Sequence, residues 1–309
     1  MKIRLKDILD FLEKNNIPFE ITGKPYDTYR IASMFQPVEK GFYFFVAQEI
    51  PAGIKDSLIL TNNNIEPGDN NVLLKIEKDP QMVYYSILSS LFEEKSTGVI
   101  QPTARIHPQA VIGDNVQIDD YCIIGKVQIE DNSIIKSHCV IEDNTYIGKN
   151  TLIENHSHIG ARGMAWVWNE EGDKKIILPQ LGGVHIENNC ILGSNSIVVR
   201  GSLNEDTFIG AHSILAPGCR LGHGTRIGRY VHFANNVITG GNAGIGDYSF
   251  VGSSAVFRPK VKLHDNTVVG SGAVVVKNTT RPGMTLIGVP AKEMPTKENP
   301  AGMPKPKNQ

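Results

Sequence analysis

Residues 209–227 read IGAHSILAPGCRLGHGTRI, with an aliphatic residue at every sixth position. With few exceptions the same period extends over two blocks of the chain, residues 106–159 and 186–275. A period of six fits neither the 3.6-residue repeat of a helix nor the two-residue alternation of a strand. It fits a coil of three short strands with eighteen residues per turn, so we predict a parallel β-helix.

A second, smaller inward position follows each aliphatic residue by four places. Serine, threonine, alanine and valine occupy it, and so do all four cysteines: Cys122, Cys139, Cys190 and Cys219. One large and one small residue per strand suit a narrow triangular prism, where three side chains meet at each level. We therefore expect the cysteines to fill the core and to bind no metal, since their spacing matches no zinc pattern.

The composition argues against two classes of protein, general nucleic-acid binders and proteins that span a membrane. With 309 residues and a net charge of -1, the chain shows no basic balance of the kind that a general nucleic-acid binder needs. No apolar run approaches the roughly 20 residues of a membrane span. The N-terminus alternates charged and aliphatic residues and lacks the apolar core of a signal peptide. We expect a cytoplasmic protein without a membrane span.

The hexads divide the chain into regions. Residues 1–100 break the rule and predict a small α/β domain that caps the coil, and residues 101–280 form the coil itself. Residues 161–184 interrupt the hexads and contain both tryptophans, which indicates a functional insertion; the alternative is a loop whose aromatic rings only pack on the coil. Residues 281–309 are rich in proline and lysine and predict a C-terminal tail, mobile over its last ten residues.

A coil with its apolar residues turned inward has no cavity, so any site must lie on its outside. Parallel coils packed around a threefold axis create clefts between neighbours. We therefore expect a homotrimer with sites shared between subunits.

His223 is the strongest candidate among the nine histidines, because glycines on both sides leave room for a ligand. Gly241 stands in the same column one coil later, and Asp206 one coil earlier once a short rung is allowed for. Adjacent coils lie about 4.8 Å apart. The column predicts a base at His223, an orienting carboxylate at Asp206 and an oxyanion donor at the Gly241 amide, which is the set that acyl transfer requires.

Two longer motifs bring in a family resemblance. Residues 159–186, IGARGMAWVWNEEGDKKIILPQLGGVHI, together with CRLGHGTRIG at 219–228, resemble the UDP-3-O-acylglucosamine N-acyltransferases of lipid A synthesis. The stretch GHGTRIGRYVHFANNV at 222–237 and IGVPAKEM at 287–294 are similar to the acetyl-CoA-dependent N-acetyltransferases of bacillosamine and sialic acid pathways. Both resemblances imply a left-handed coil, a catalytic histidine at His223 and a glycine amide at Gly241.

The N-terminal domain extends the first resemblance. Its segment FYFFV, residues 42–46, stands where that family has an aromatic nucleotide-binding segment. The resemblance therefore implies that Phe44 or Phe42 contacts a pyrimidine base. Alternating aromatic residues in a strand also pack into a core on one face, and that alternative stays open.

Three departures bear on the acyl donor. Ala216 stands where the lipid A enzymes carry an aspartate seven residues before the histidine, and Lys260 replaces a second family histidine. The C-terminal stretch RPGMTLIGVPAKEM, residues 281–294, resembles that of the CoA-dependent enzymes. The long C-terminal helices that the lipid A enzymes have, which are associated with acyl carrier protein, find no counterpart in this sequence. These differences favour a short acyl-CoA over an acyl carrier protein, with Lys260 and Lys292 as candidate contacts to CoA phosphates; the alternative is that both are simply exposed lysines.

The sequence thus predicts a transferase that moves an acyl group from a thioester, with acyl-CoA favoured, to the amine of a UDP- or dTDP-linked amino sugar for bacterial surface polysaccharide. No cofactor is bound permanently. The alternatives are a lipid A N-acyltransferase that uses acyl carrier protein, a sugar O-acetyltransferase, and a structural β-helix scaffold. A γ-carbonic anhydrase is disfavoured because no two histidines stand five residues apart, as its metal site requires.

Overall fold

The computed structural model describes residues 1–47 and 49–296. The chain divides into two compact units, the first Met1–Glu94 and the second beginning at Lys95. The boundary that the sequence predicts at residue 100 therefore falls a few residues inside the second unit.

The first unit is a six-stranded sheet with two helices. Its elements are β1 (Lys2–Arg4), α1 (Leu5–Lys14), β2 (Phe19–Thr22), β3 (Thr28–Ile31), β4 (Gly41–Phe45), β5 (Leu58–Thr61), β6 (Val72–Ile76) and α2 (Pro80–Phe92). The strand order is β1-β3-β4-β5-β6-β2, with β3 to β6 parallel and the two outer strands antiparallel to their neighbours. Helix α2 begins where the Asp79 carboxylate accepts the Met82 N–H at 3.0 Å, with Pro80 in the first turn.

The second unit is a parallel β-helix of short strands. Its first part contains β7 (Arg105–Ile106), β8 (Val111–Ile112), β9 (Gln117–Ile118), β10 (Ile123–Ile124), β11 (Gln128–Ile129), β12 (Ile134–Ile135), β13 (Val140–Ile141), β14 (Thr145–Ile147), β15 (Leu152–Ile153), β16 (His158–Ala161), β17 (Trp166–Trp168), β18 (Lys175–Ile177), β19 (Val184–Ile186), β20 (Ile191–Leu192) and β21 (Ile197–Val199). Its second part contains β22 (Thr207–Ile209), β23 (Ile214–Leu215), β24 (Arg220–Leu221), β25 (Arg226–Ile227), β26 (His232–Phe233), β27 (Ile238–Thr239), β28 (Gly244–Ile245), β29 (Phe250–Val251), β30 (Val256–Phe257), β31 (Val268–Val269), β32 (Val274–Val275), β33 (Met284–Ile287) and β34 (Lys292–Pro295).

Three sheets form the faces of the prism. The first face runs β7-β10-β13-β16-β21-β24-β27-β30-β32, the second β8-β11-β14-β19-β22-β25-β28, and the third β9-β12-β15-β20-β23-β26-β29-β31-β33-β34. Apart from β34, each strand of the three faces pairs in parallel with the strand one coil away, as Leu221 does with Thr239 and Ile227 with Ile245. The hexad aliphatics therefore stack in columns inside the prism, as the period of six predicts.

The inward positions form one continuous core. Ile209, Leu215 and Leu221 are buried there, and all four cysteines are buried beside them as free thiols. Burial raises the pKa of Cys190 to about 12 and that of Cys219 to about 11, which keeps both thiols protonated and unreactive. The cysteines thus fill the core.

The C-terminal region differs from the sequence-based division. Residues 284–295, predicted as part of a tail, instead form β33 and β34; β33 pairs with β31 in the third face, and β34 folds back antiparallel on β33. The predicted mobile end over the last ten residues lies outside the described residues. Of the helices in the described part of the chain, none has the length and apolarity to cross a bilayer.

Candidate active site

The corner that carries His223 connects the first face to the second. Strand β24 ends at Leu221 and β25 begins at Arg226, so four residues make the turn. Gly224 turns the chain with a φ of +62°, a left-handed conformation that glycine adopts freely, and its N–H donates to Thr207 Oγ1 at 2.9 Å. This local structure leaves the His223 ring partly exposed on the outside of the coil.

Gly241 lies directly against the His223 ring. A Cβ added at Gly241 would stand 2.3 Å from His223 Nε2, and the Asn242 N–H donates to the His223 carbonyl at 2.7 Å. Within the described residues, the Gly241 N–H makes no hydrogen bond. The structure thus places the His223 ring against the Gly241 backbone, whose N–H is unused in the described part of the chain.

Ser202 is the hydrogen-bond partner of the other ring nitrogen. Its Oγ lies 2.9 Å from His223 Nδ1 and accepts a hydrogen bond from Gln180 Nε2 at 3.3 Å. The Glu205 carboxylate fixes the Ser202 segment by accepting the backbone N–H groups of Ser202 and Leu203 at 2.9 and 3.1 Å. A fixed partner at Nδ1 sets the orientation of the ring.

Asp206 does not take the position that the sequence predicts for it. Its Oδ1 accepts the Gly183 N–H at 2.8 Å, and Ser202 occupies the place beside His223. The reason is the length of this corner, where residues 200–206 connect β21 to β22 in place of the usual four. The extra residues shift the column, so the spacing alone did not point to Ser202.

The Glu205 carboxylate lies near the His223 ring, although the two make no hydrogen bond. The pKa of Glu205 is held below its usual value, chiefly by the Ser202 N–H and to a smaller extent by the charge of His223. Glu205 therefore stays ionised at neutral pH. The Glu205 charge and the His223 ring lie close enough to interact electrostatically.

The two lysines predicted to meet CoA lie in different places. Lys260 follows Gly241 by one coil, and its backbone N–H donates to the Gly241 carbonyl at 2.9 Å while its side chain is exposed. Lys292 is exposed on β34, which pairs with β33 at the edge of the third face. The structure therefore brings Lys260 to the His223 corner and gives Lys292 no contact with it.

A separate cavity of about 420 Å³ lies in the first unit. Phe44 lines it together with Met34, Phe35 and Tyr85, whereas Phe42 is fully buried. Burial raises the pKa of Tyr84 to about 12, so its hydroxyl stays protonated and donates to the Phe42 carbonyl at 3.2 Å. Of the two predicted nucleotide contacts, only Phe44 has a ring surface available to a ligand, because Phe42 packs in the core.

The insertion folds into an antiparallel hairpin of β17 and β18. Trp166 and Trp168 meet edge to face at 5.2 Å between ring centroids, and the Lys175 ammonium lies 4.1 Å from the Trp166 ring. The chain returns through Gln180 to the Ser202 segment, where the Leu181 N–H donates to the Ser202 carbonyl at 3.0 Å. The end of the insertion is thus anchored beside the candidate site.

Metal chemistry has no obvious ligand set in the described residues, since no three His, Cys, Asp or Glu side chains cluster there. The His223 corner offers an imidazole ring, a backbone amide donor and a nearby carboxylate.

Comparison with known proteins agrees with the β-helix fold. The family model described as bacterial transferase hexapeptide (six repeats) matches residues 126–161 and 242–277, and a model for the hexapeptide repeat of succinyl-transferase matches residues 183–201. The solved structure of Francisella novicida UDP-N-acetylglucosamine acyltransferase has a TM-score of 0.57 at 26% identity, over 65% of this chain and 71% of that one. The likeness confirms a left-handed hexapeptide β-helix.

Two curated relatives match a shorter segment. The UDP-3-O-acylglucosamine N-acyltransferase of Psychrobacter cryohalolentis is 34% identical over 83 residues, which is 26% of this chain and 25% of that protein. The enzyme of the same name from Dechloromonas aromatica is 37% identical over 75 residues, or 24% of this chain and 20% of that protein. The chain thus spans about a quarter or less of the curated relatives that it matches.

Proposed function

We propose that this hexapeptide-repeat protein, similar to the UDP-3-O-acylglucosamine N-acyltransferases, is an acyltransferase that acts on a nucleotide-linked amino sugar. The observation that carries the proposal is the position of the His223 ring against Gly241, where an added Cβ would stand 2.3 Å from Nε2, together with a Gly241 N–H that has no hydrogen-bond partner in the described part of the chain. An imidazole base beside a free backbone donor is the arrangement that acyl transfer uses.

The reaction proceeds through one tetrahedral intermediate. The sugar amine attacks the thioester carbonyl carbon while His223 Nε2 accepts the amine proton. The Gly241 N–H donates to the oxyanion that forms. The intermediate collapses to an amide, the carbon–sulfur bond breaks, and the protonated His223 returns a proton to the thiolate. Base catalysis of this kind contributes about 10²- to 10⁴-fold, and the remainder comes from positioning.

Ser202 supplies the tautomer that this role needs. The Gln180 amide already donates to Ser202 Oγ, and a donation from His223 Nδ1–H uses the second lone pair of that oxygen. The proton then resides on Nδ1, and Nε2 is free to accept. The Ser202 hydroxyl therefore takes the orienting role predicted for Asp206, and the ionised Glu205 supplies a carboxylate near the ring in place of the aspartate expected at Ala216.

Different parts of the molecule support the proposed acyl acceptor and the proposed acyl donor. The Phe44 cavity in the first unit is apolar and aromatic, which suits the pyrimidine of a UDP- or dTDP-sugar. Lys260 projects from the coil after Gly241, where an ammonium can meet a phosphate of acyl-CoA. We favour acyl-CoA over acyl carrier protein as the donor, and Lys292 stays a second candidate for its phosphates.

The third face supports a homotrimer. Its outward positions form an apolar strip across successive coils, made by Leu152, Ile191, Ile214, Phe250 and Val268, with His232 between Ile214 and Phe250. Ile191 and Ile214 are 36% and 37% exposed, and a flat apolar strip of this length is typical of a subunit interface.

The test is a matrix of donors and acceptors. Acetyl-CoA, a long-chain acyl-CoA and an acylated carrier protein are each incubated with UDP- and dTDP-linked amino sugars, and thiol release and product mass are followed. We expect thiol release that depends on the amino sugar, with an amide product. A product that hydroxylamine cleaves would identify O-acylation, and the absence of thiol release from every pair would refute the acyltransferase.

A further inference from the structure

The second face carries a column of side chains beside the His223 corner. At the outward position of successive strands it places Tyr146, His185, Phe208, Arg226, Gly244 and Lys262. The three rings stack with centroid distances of 4.5 and 5.4 Å. This aromatic stack ends at Arg226, three residues after His223.

Arg226 rests on the aromatic stack, and in the part of the chain that the structure describes it has no counter-charge. Its guanidinium carbon lies 4.6 Å from the centre of the Phe208 ring. Among the described residues, no carboxylate comes within 4.0 Å of its nitrogens. A guanidinium that rests on an aromatic face keeps its edge N–H groups available, and those groups match the geometry of a phosphate.

Lys262 brings a second cation to the same place. It stands one coil beyond Gly244, and a Cβ at Gly244 would lie 2.6 Å from Lys262 Cδ and 3.2 Å from its Nζ. The ammonium therefore lies over Gly244, the residue that pairs in register with Arg226. It donates to the Asn242 carbonyl at 2.9 Å, and in the described structure no carboxylate pairs with it.

The absence of a side chain at Gly244 is what lets the two cations approach. Strands two coils apart are about 10 Å apart, and the Lys262 side chain reaches back one coil to lie over Gly244, which pairs with Arg226. Two like charges on the same face of the coil repel each other, and an anion bound between them would offset that repulsion. The Asn242 carbonyl that holds Lys262 belongs to the residue directly after Gly241, so the cations stand beside the candidate oxyanion site.

We propose that Arg226, Lys262 and the floor at Gly244 form a phosphate-binding site that anchors one substrate next to His223. This inference rests on the proposed acyl transfer and names a contact for it. Both substrate classes carry phosphate groups that such a site could bind. The nucleotide-linked sugar has a diphosphate, and acyl-CoA has a diphosphate and a further phosphate on its adenosine.

The experiment is calorimetric titration of the full chain with CoA and, separately, with UDP. The variants are Arg226→Gln and Lys262→Gln, which remove one charge each, and Gly244→Ala, which displaces Lys262 without changing the charge. The matched control is Arg229→Gln, because Arg229 lies in the same coil and already pairs with Asp247 at 2.9 Å. We expect each site variant to weaken one ligand about ten- to a hundredfold, since a charge-assisted hydrogen bond is lost. The control should bind as the wild type does.

The two arms identify the source of the phosphate. Weakened CoA binding with unchanged UDP binding assigns the site to the donor, and the reverse assigns it to the acceptor. Equal effects of Arg229→Gln and Arg226→Gln, unchanged affinity in all site variants, or no binding of either ligand to the wild type would overturn the site.

A His223→Ala variant separates this inference from the proposed reaction. It leaves the cations in place, so it should bind CoA and UDP as the wild type does while losing turnover. If no acyl transfer is found but Arg226→Gln still weakens ligand binding, the reaction is wrong and the phosphate site stands.

Discussion

Replacing Gly241 with alanine tests the geometry of the site without removing a functional group. The new Cβ would stand 2.3 Å from His223 Nε2, whereas carbon and nitrogen in contact are about 3.5 Å apart. The imidazole must therefore move by about 1 Å or turn away from its position. A misplacement of about 1 Å costs about 10²-fold in rate, so we expect kcat to fall by about that factor.

Stability should change little in the same variant. Gly241 lies at a corner of the coil, partly exposed and without a left-handed φ, so alanine introduces no backbone strain there. A surface change of this kind shifts the unfolding midpoint by about 2 °C or less. Gly270→Ala is the matched control. Its new Cβ would lie 3.0 Å from Ile287 Cγ2, and Gly270 stands more than two coils after the one that carries His223.

The assay is steady-state thiol release by both variants, with a thermal melt of each. Loss of kcat in Gly241→Ala alone, with both melts close to that of the wild type, is the expected result. Turnover of Gly241→Ala within about threefold of the wild type would refute the reasoning, because it would show that the space above Gly241 is not where the base acts.

Three further predictions concern other parts of the molecule. Ser202→Ala should lower kcat about tenfold at every pH of a rate profile, because His223 loses the partner that fixes its tautomer. Phe44→Ala should weaken UDP binding about tenfold in calorimetry, while Phe42→Ala should instead lower the free energy of unfolding by about 3–5 kcal/mol in urea. Burial lowers the pKa of His232, so the unfolded chain binds its proton more readily and stability should fall as the pH drops below about 6.5; His232→Leu should reduce that slope in urea titrations at pH 5.5 and 7.5.

The fold could be predicted from the sequence because each strand obeys a local rule. A large inward residue every six places fixes which side chains face the core, and the strands then stack in register without further information. Spacing placed His223 against Gly241 for the same reason, since the eighteen residues between them form one regular coil.

The rest of the site depends on departures from the rule. Residues 200–206 hold three more residues than a usual corner, and no local signal states which of them turns toward the ring. Asp206 was the chemically attractive choice, but the backbone directs it to Gly183 and brings Ser202 to His223. The Lys262 ammonium escapes sequence analysis in the same way, because its position depends on the missing side chain at Gly244.

The aromatic segment of the first unit shows the limit of a strand pattern. Phe42 and Phe44 stand two places apart and so share one side of β4, yet helix α2 covers Phe42 and leaves Phe44 at a cavity. Tyr84 of that helix lies 4.8 Å from the Phe42 ring and 5.2 Å from the Phe44 ring. Alternation gives the side of the sheet, and the packing of the helix decides which ring a ligand can reach.

The most direct test of the central claim is single-turnover acyl transfer by His223→Ala beside the wild type, with the donor and amino sugar that the matrix identifies. Circular dichroism and the oligomeric state are measured on the same samples. The account predicts a rate at least about 10²-fold lower with the fold and assembly unchanged. A folded variant that transfers the acyl group within a few-fold of the wild-type rate would contradict the assignment of His223 as the base.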